Sequence, residues 1–172
     1  MPFDATVTLR PKDMKDITPE QLDRMEKAEG ESIPSALHSW FLNCDKQGSL
    51  TVEVQPPAIT NAKLNQAEID EENYEEYTPG ELAEILEVDA IIMGSFETNK
   101  PMYEGASVAL DVVFGFYGTT NKAVLNLYIY NAEDSDILVN YHKGVKGSIG
   151  SSTEDLINRL MRKASRRIAY AK

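Results

Sequence analysis

The sequence of 172 residues contains a single cysteine, Cys44, and only two histidines, His38 and His142. No internal disulfide can therefore form, and no thiols or histidines are spaced as zinc ligands are. Cys44 falls in the apolar phase of its segment, which predicts a buried thiol. No run approaches the roughly 18 consecutive apolar residues of a membrane-spanning helix. These absences predict a chain without a metal or other cofactor and without a transmembrane helix.

Basic residues are outnumbered, with 17 lysines and arginines against 28 aspartates and glutamates, a net charge of −11. Binding to nucleic acid requires a basic surface, so this balance argues against DNA or RNA as a partner. The charge is uneven, because residues 151–172 hold six basic and two acidic residues. Their net charge of +4 leaves −15 for residues 1–150. The basic segment either packs on its own domain or presents a basic contact surface.

The sequence also lacks the short motifs that position catalytic groups. No Gly-Lys-Ser or Gly-Lys-Thr of a phosphate-binding loop occurs, and no Gly-x-Ser-x-Gly elbow nominates a nucleophile. The acidic residues between Glu68 and Glu76 lack the spacing and central glycine of a calcium loop. The chain is therefore predicted not to be an enzyme. A serine, histidine and aspartate brought together only by the fold stay open as an alternative.

The residues from Thr78 to Phe96 give the clearest indication of structure. Thr78 and Glu81 form a capping box, and Pro79 suits the first position of a helix. An apolar run that ends at Gly94 follows at once and predicts a buried strand. One helical face before that run carries Leu82, Ile85 and Leu86.

Similar patterns extend along the chain. A kinked helix, or two helices in tandem, is predicted over residues 18–48, and a final helix begins at Ser152 or Thr153. A weaker helix covers 60–69, a turn covers 131–136, and residues 106–117 fit a strand and a helix equally. Besides the run ending at Gly94, alternation of apolar and polar residues predicts strands over 3–10, 50–54, 122–131 and 137–145.

These elements predict one α/β (α+β) domain over residues 1–172, which is the size of a single hydrophobic core. The expected architecture is a mixed β-sheet of about five to six strands with helices packed on it. It has a β-α-β-α-α-β start, an antiparallel hairpin and a C-terminal helix.

The motif from Leu86 to Phe96, followed by an acidic turn and the strand Ile137–Tyr141, resembles the CsgG / LpoB / TolB N-terminal-like family of bacterial envelope lipoprotein domains. The resemblance covers roughly residues 50–170. The chain departs from the family pattern in two places, the Glu87-Val88 pair and the strand after the turn. Glu87 and Val88 stand where glycine and alanine are usual, and Val139-Asn140-Tyr141 lacks the usual tryptophan.

The resemblance implies a periplasmic or outer-membrane-associated module that docks onto another envelope protein. It carries over no catalytic residues, and it implies a leader and a lipidated cysteine upstream of Met1. A cytoplasmic location stays open. The predicted function is a non-enzymatic, envelope-associated adaptor or assembly component whose partner is another envelope protein or a second copy of itself.

A glycine- and serine-rich segment, Gly144–Thr153, precedes the last helix and gives the alternative function, a small-ligand or anion-binding domain. Helix N-termini and glycine-rich turns favour anions, although glycine and serine are also common in plain connectors. The candidate anion-binding residues are Lys143, Lys146, Gly147, Gly150, Ser151, Ser152 and Thr153.

The predicted docking surface is the segment 100–120, the exposed hairpin or the basic C-terminal helix. Exposed together, the apolar residues of that segment would mark a patch for a protein partner. The candidate docking residues are Met102, Val108, Val112, Phe114, Phe116, Arg162 and Arg166.

Overall fold

Four strands form one mixed sheet in the computed structural model, which describes residues 3–9, 11, 13–70, 73–99, 122–147 and 153–164. The strand order in the sheet follows the chain order. β1 runs parallel to β2, and the other two neighbouring pairs are antiparallel. The strands are β1 (Phe3–Thr8), β2 (Ala90–Asn99), β3 (Lys122–Asn131) and β4 (Ile137–Lys146).

Capping boxes start two of the helices, as predicted. The backbone N–H of Thr18 donates to Oε1 of Gln21 over 2.8 Å, and the N–H of Thr78 donates to Oε2 of Glu81 over 2.7 Å. Each threonine hydroxyl oxygen accepts the reciprocal backbone N–H, which satisfies donors that a helix start leaves unpaired. The helices are α1 (Pro19–Lys46), α2 (Pro57–Gln66), α3 (Pro79–Leu86) and α4 (Thr153–Ala164), with 3-10 turns at Asp13–Asp16 and Tyr74–Glu76.

α1 is a single helix of 28 residues, and Pro34 lies inside it. The prediction left one kinked helix and two tandem helices open, and the structure has one helix. A proline in a helix interior costs about 3 kcal/mol because it removes a hydrogen bond. An unbroken buried stripe on α1 offsets this cost, consisting of Ile33, Leu37, Phe41 and Cys44.

The predicted strand at residues 50–54 is wrong. This segment is irregular, with only an isolated bridge at Leu50. Leu50 and Val54 touch the core while Val52 is 41% exposed, so the alternation reports contact with the core and not a hydrogen-bonded ladder. The described sheet therefore has four strands instead of five to six, and the chain begins β-α-α-α-β. The ambiguous segment 106–117 lies outside the described residues.

The described helices cover one face of the sheet fully and the other face in part. On the first, α1 and α4 pack over residues such as Phe96, Leu125 and Leu127, which are fully buried. On the second, the described helices α2 and α3 cover the end of the sheet near Ile91 and Tyr130. The rest of the second face therefore presents polar side chains from all four strands.

Two glycines leave room around Phe3, Gly30 on α1 and Gly94 on β2. A Cβ on Gly30 would lie 2.7 Å from the carbonyl oxygen of Phe3. A Cβ on Gly94, the strand partner of Phe3, would lie 2.8 Å from its ring. Gly94 thus leaves room both for the backbone oxygen of Asn126 and for the aromatic ring of Phe3 on the neighbouring strand.

Candidate functional site

β4 is the outer strand of the described sheet, and it carries two large exposed apolar side chains. Ile137 is 53% exposed and Leu138 is 47% exposed. β3 is its one neighbour in this sheet. An edge strand presents backbone N–H and C=O groups with which an extended chain can pair. The outer edge of β4 is therefore the described surface best suited to an extended segment of another molecule.

The exposure of Leu138 has a specific cause in the hairpin. Ile129 pairs with Val139 and Tyr130 pairs with Ile137, so Leu138 is an extra residue in the ladder. A β-bulge of this kind leaves its extra residue unpaired and re-aims the side chain. Leu138 is thus directed to solvent by the register of the hairpin.

The turn before β4 is held by an ionised carboxylate. Oδ1 of Asp134 accepts the side-chain N–H of Asn131 over 2.8 Å and the backbone N–H of Asp136 over 3.0 Å. The hydrogen bond from Asp136, followed by that from Asn131, lowers the pKa of Asp134. The turn therefore places negative charge beside the apolar start of β4.

The opposite end of β4 is basic. Lys143 and Lys146 are exposed, and Lys146 pairs across the strands with the exposed Lys122. Arg159 of α4 lies alongside, where its Nη1 donates to the carbonyl oxygen of Lys146 over 3.5 Å. The surface along β4 is therefore acidic at the turn that precedes it, apolar at Ile137 and Leu138, and basic at the far end.

The other outer strand, β1, is covered by α1. The backbone N–H of Val7 donates to Oε1 of Glu26 over 3.0 Å, and the side chain of Val7 is buried. A side chain that caps an edge amide and a helix that covers the edge both oppose pairing with another strand. The two outer strands of the described sheet thus differ, and β4 is the more accessible.

A row of polar side chains, which no local sequence pattern indicates, crosses the partly covered face of the sheet. Asp4, Ser95, Asn126 and His142 are successive partners on the four strands. Nδ2 of Asn126 donates to Oγ of Ser95 over 2.8 Å, and Oδ1 of Asn126 is hydrogen-bonded to Nδ1 of His142. Asp4 accepts the hydroxyl hydrogen of Tyr74 over 2.7 Å.

The direction of these bonds determines what the row can do chemically. Because Oδ1 of Asn126 accepts, Nδ1 of His142 carries the hydrogen and Nε2 is the ring nitrogen left for other contacts. The amide of Asn126 separates His142 from Ser95 and donates to the serine oxygen. A base that activates a serine must instead accept the hydrogen of its hydroxyl group, so this row is not a nucleophile–base pair.

The described residues include only some of the predicted site residues. Lys143 and Lys146 belong to β4, which runs one residue beyond the predicted strand, and Gly147 follows it. They stand on opposite faces of the strand, because successive side chains alternate. Arg162 is exposed on α4, which begins at Thr153. Outside the described residues lie Gly150, Ser151, Ser152, Met102, Val108, Val112, Phe114, Phe116 and Arg166.

Other kinds of site have less support in the described ranges. No group of three histidine, cysteine or acidic side chains there is arranged to hold a metal ion. None of the helices seen in those ranges has the length and apolar character needed to cross a bilayer. An open acidic cleft beside the start of α3 is lined by Thr78, Gly80, Glu81, Glu84, Ala132, Glu133, Asp134 and Ser135.

Comparison with known proteins shows a distant likeness among solved structures. No protein-family model matches the chain, and no curated protein matches it. Among solved structures it is similar to the lipoprotein GNA1162 from Neisseria meningitidis, with 14% sequence identity and a TM-score of 0.44. The match covers 97% of this chain and 93% of that one. A likeness at this TM-score carries no argument about fold or function.

Proposed function

We propose that the protein is a non-enzymatic adaptor that docks onto another protein by adding an extended segment of that partner to the edge of β4. The observation that carries the proposal is the exposure of Ile137 and Leu138 side by side on an outer strand. Main-chain pairing would supply the affinity, and the side chains along the edge would supply the specificity.

The contrast between the two outer strands supports this choice of site. The edge of β1 is covered by α1 and capped by Glu26. In β4 the backbone is regular after the bulge, and seven of its ten residues are exposed. These are the conditions under which one edge of a sheet remains available to a partner strand.

The location of the adaptor in the cell envelope rests on the resemblance of the motif Leu86–Phe96 and the hairpin to envelope lipoprotein domains. Fractionation of the native cells, with intact-mass measurement of the purified protein, tests this location. A lipid-modified form in the envelope fraction is the expected result. An unmodified protein confined to the cytosol would overturn the envelope assignment and leave the docking edge to be tested separately.

The docking edge itself is tested by photo-crosslinking in the native cells. A photoreactive amino acid replaces Leu138 in one variant and Ile59 in another, because both side chains are 47% exposed and Ile59 lies on α2, away from β4. We expect a discrete adduct from position 138 alone. The captured protein is then identified by mass and purified.

Reconstitution with the captured protein decides whether an edge strand is used. Backbone amides of residues 137–146 are expected to exchange with deuterium more slowly in the complex, because strand addition gives the edge amides new acceptors. Equal adducts from both positions, or no change of exchange in β4, would contradict the proposal.

Anion binding is the second candidate, and the pairing of Lys122 with Lys146 favours it. Like charges directly opposite each other destabilise a strand pair, so an anion between them would relieve the repulsion. Inorganic phosphate is then expected to raise the unfolding temperature, and to lose this effect in Lys122→Thr. An equal rise in Lys46→Thr and Lys122→Thr proteins would indicate a general salt effect instead.

A further inference from the structure

We infer that the segment bound at β4 is acidic at the end that meets Lys143 and Lys146 and apolar at the end that meets Ile137 and Leu138. This inference rests on the proposed function and specifies the chemistry of its partner. Its basis is the change in character along β4, from apolar to basic over ten residues. That length corresponds to roughly 30 Å of extended chain.

The positive charge at the end of β4 is local, and no described side chain neutralises it. Within the described ranges, Lys122, Lys143 and Lys146 have no carboxylate within salt-bridge distance. Arg159 adds its charge beside Lys146. Complementary charge at such a surface sets which partner is accepted and suppresses the wrong ones.

The overall charge of −11 does not prevent an acidic segment from binding here. At physiological ionic strength the Debye length is about 8 Å, so distant carboxylates are largely screened. A segment paired with β4 lies next to the lysines, well within that distance. The acidic turn at Asp134 and Asp136 lies at the end of β4 opposite the lysines. The acidic part of the segment must therefore lie at the lysine end.

A second copy of this chain fits the edge less well than an acidic partner. A two-fold symmetric pair of β4 strands must be antiparallel, because the same surface is used on both copies. Pairing over the whole strand then sets Lys146 of one copy beside Ile137 or Leu138 of the other. Charged side chains would face apolar ones at both ends, whereas an acidic and apolar segment meets its complement at each end.

The test uses the full chain and a defined probe, a nine-residue peptide with three glutamates followed by alternating valine and threonine. This order suits antiparallel addition to β4, the orientation that β4 already has with β3. Binding is followed by ¹H–¹⁵N NMR at about 0.15 M salt. Saturable shifts confined to residues 137–146 and their neighbours on α4 are expected.

Two control peptides separate the parts of the inference. Replacing the three glutamates by lysines is expected to weaken binding at least about tenfold, because like charges would then face each other at the basic end. Methylating the backbone nitrogens on the pairing edge is expected to abolish binding, because each methyl group removes a ladder hydrogen bond. Equal binding by the glutamate and lysine peptides would overturn the acidic assignment.

Matched protein variants test the site. Lys143→Glu with Lys146→Glu is expected to weaken binding of the acidic peptide by about tenfold or more, whereas Lys15→Glu with Lys46→Glu is expected to leave it nearly unchanged. Both pairs change the net charge equally, and all four lysines are exposed. An equal loss in both double variants would show that total charge, and not the edge, controls binding.

The peptide experiment tests the acidic character of the segment, and the crosslink from position 138 tests docking. If the acidic peptide gives no saturable shift up to about 5 mM, the acidic assignment is overturned, because that limit excludes even weak specific binding. The crosslink from position 138 would still stand as the test of docking. If position 138 gives no adduct and the peptide does not bind, both are overturned.

Discussion

The hydroxyl group of Thr98 is buried in the core, where the side chain is only 2% exposed, and the described structure gives its oxygen no hydrogen-bond partner. A buried polar group without a partner loses its hydration and gains nothing in return. Valine has nearly the same shape without the hydroxyl group, so the position provides a direct measure of this cost.

Thr98→Val is expected to raise the free energy of unfolding by about 1 kcal/mol. Unfolding in urea, followed by circular dichroism, measures the change. Thr8→Val is the matched control, because Thr8 is exposed on β1 and its replacement should change the stability by less than about 0.5 kcal/mol. A less stable Thr98→Val protein would mean that the hydroxyl group is satisfied in solution.

Tyr74 gives the molecule a pH dependence in the alkaline range. Its hydroxyl group donates to Asp4 over 2.7 Å, and its pKa is raised, first by burial and then by this hydrogen bond. The folded-state pKa is thus above the value of about 10 for an unfolded chain. The stabilisation is complete below pH 10 and is lost as the pH rises from there toward the folded-state pKa.

Tyr74→Phe is therefore expected to lower the stability at pH 7 by about 1–2 kcal/mol and to flatten the decline of stability above pH 10. Urea unfolding between pH 7 and pH 11 measures both effects. Tyr77→Phe removes a hydroxyl group three residues away, and we expect it to retain the decline of the parent protein. If Tyr74→Phe and the parent protein lost stability in parallel above pH 10, the phenol would not be its source.

At the scale of the element, α1 is a helix whose sequence is locally unfavourable. It contains Gly30 and Pro34, both of which weaken a helix interior. At Gly30 the helix approaches the backbone of Phe3 too closely for a side chain. Helix propensity and packing therefore make opposite predictions for a larger residue at this position.

Gly30→Ala is expected to destabilise the protein by about 1–3 kcal/mol, although alanine is favoured over glycine by about 1 kcal/mol in a helix interior. The added Cβ would lie 2.7 Å from a backbone oxygen, which cannot move without shifting β1. Thermal unfolding measures the effect. Ser35→Ala, at an exposed position of the same helix, controls for propensity. A stabilising Gly30→Ala would show that α1 can shift away from the sheet.

Glu87 ends α3 in the left-handed conformation, with φ of 55° and ψ of 51°. An L-residue with a side chain is strained in this region, whereas glycine is not. The side chain of Glu87 forms an ion pair with Lys63, but this lysine also donates to the carbonyl oxygen of Leu86 over 2.7 Å. The end of the helix therefore keeps a partner when Glu87 is replaced.

Glu87→Gly is accordingly expected to raise the unfolding temperature by about 2–4 °C. Differential scanning calorimetry measures the shift. Glu84→Gly, one turn earlier and within the helix, is expected to lower the temperature, since glycine is unfavourable there. A fall in both variants would indicate that the contact with Lys63 outweighs the backbone strain.

The elements differ in how well the sequence predicts them, and the difference follows from the range of the interactions. The capping boxes at Thr18 and Thr78 are local, and they predicted the starts of α1 and α3 correctly. Alternation at residues 50–54 was misleading because it reports burial, which an irregular segment can also have. The pairing of Phe3 with Gly94 spans about half of the chain, and no local pattern contains it.

The candidate site was likewise predicted only where its features depend on local sequence. The hairpin and the lysines at its end were predicted, because turn residues and alternation are local signals. The bulge that exposes Leu138 and the row from Ser95 to His142 depend on the register between strands. Register is determined by packing across the whole sheet, so these features became visible only in the folded structure.

At the scale of the whole molecule, charge and apolar exposure oppose each other. The net charge of −11 at neutral pH keeps copies of the chain apart, while Ile137 and Leu138 present an apolar edge. The isoelectric point is near 4.6, so the repulsion between copies vanishes as the pH falls to that value. The exposed start of β4 then becomes a preferred point of non-specific association.

Near pH 4.6, Leu138→Lys is expected to slow aggregation several-fold relative to the parent protein, because a charge on an edge strand opposes strand pairing. Light scattering after a pH jump measures the rate. Ile59→Lys removes an equally exposed apolar side chain and adds the same charge, but on α2. It should therefore have a much smaller effect. If both variants slowed aggregation equally, added charge alone would explain the result, and the outer edge of β4 would have no special part in association.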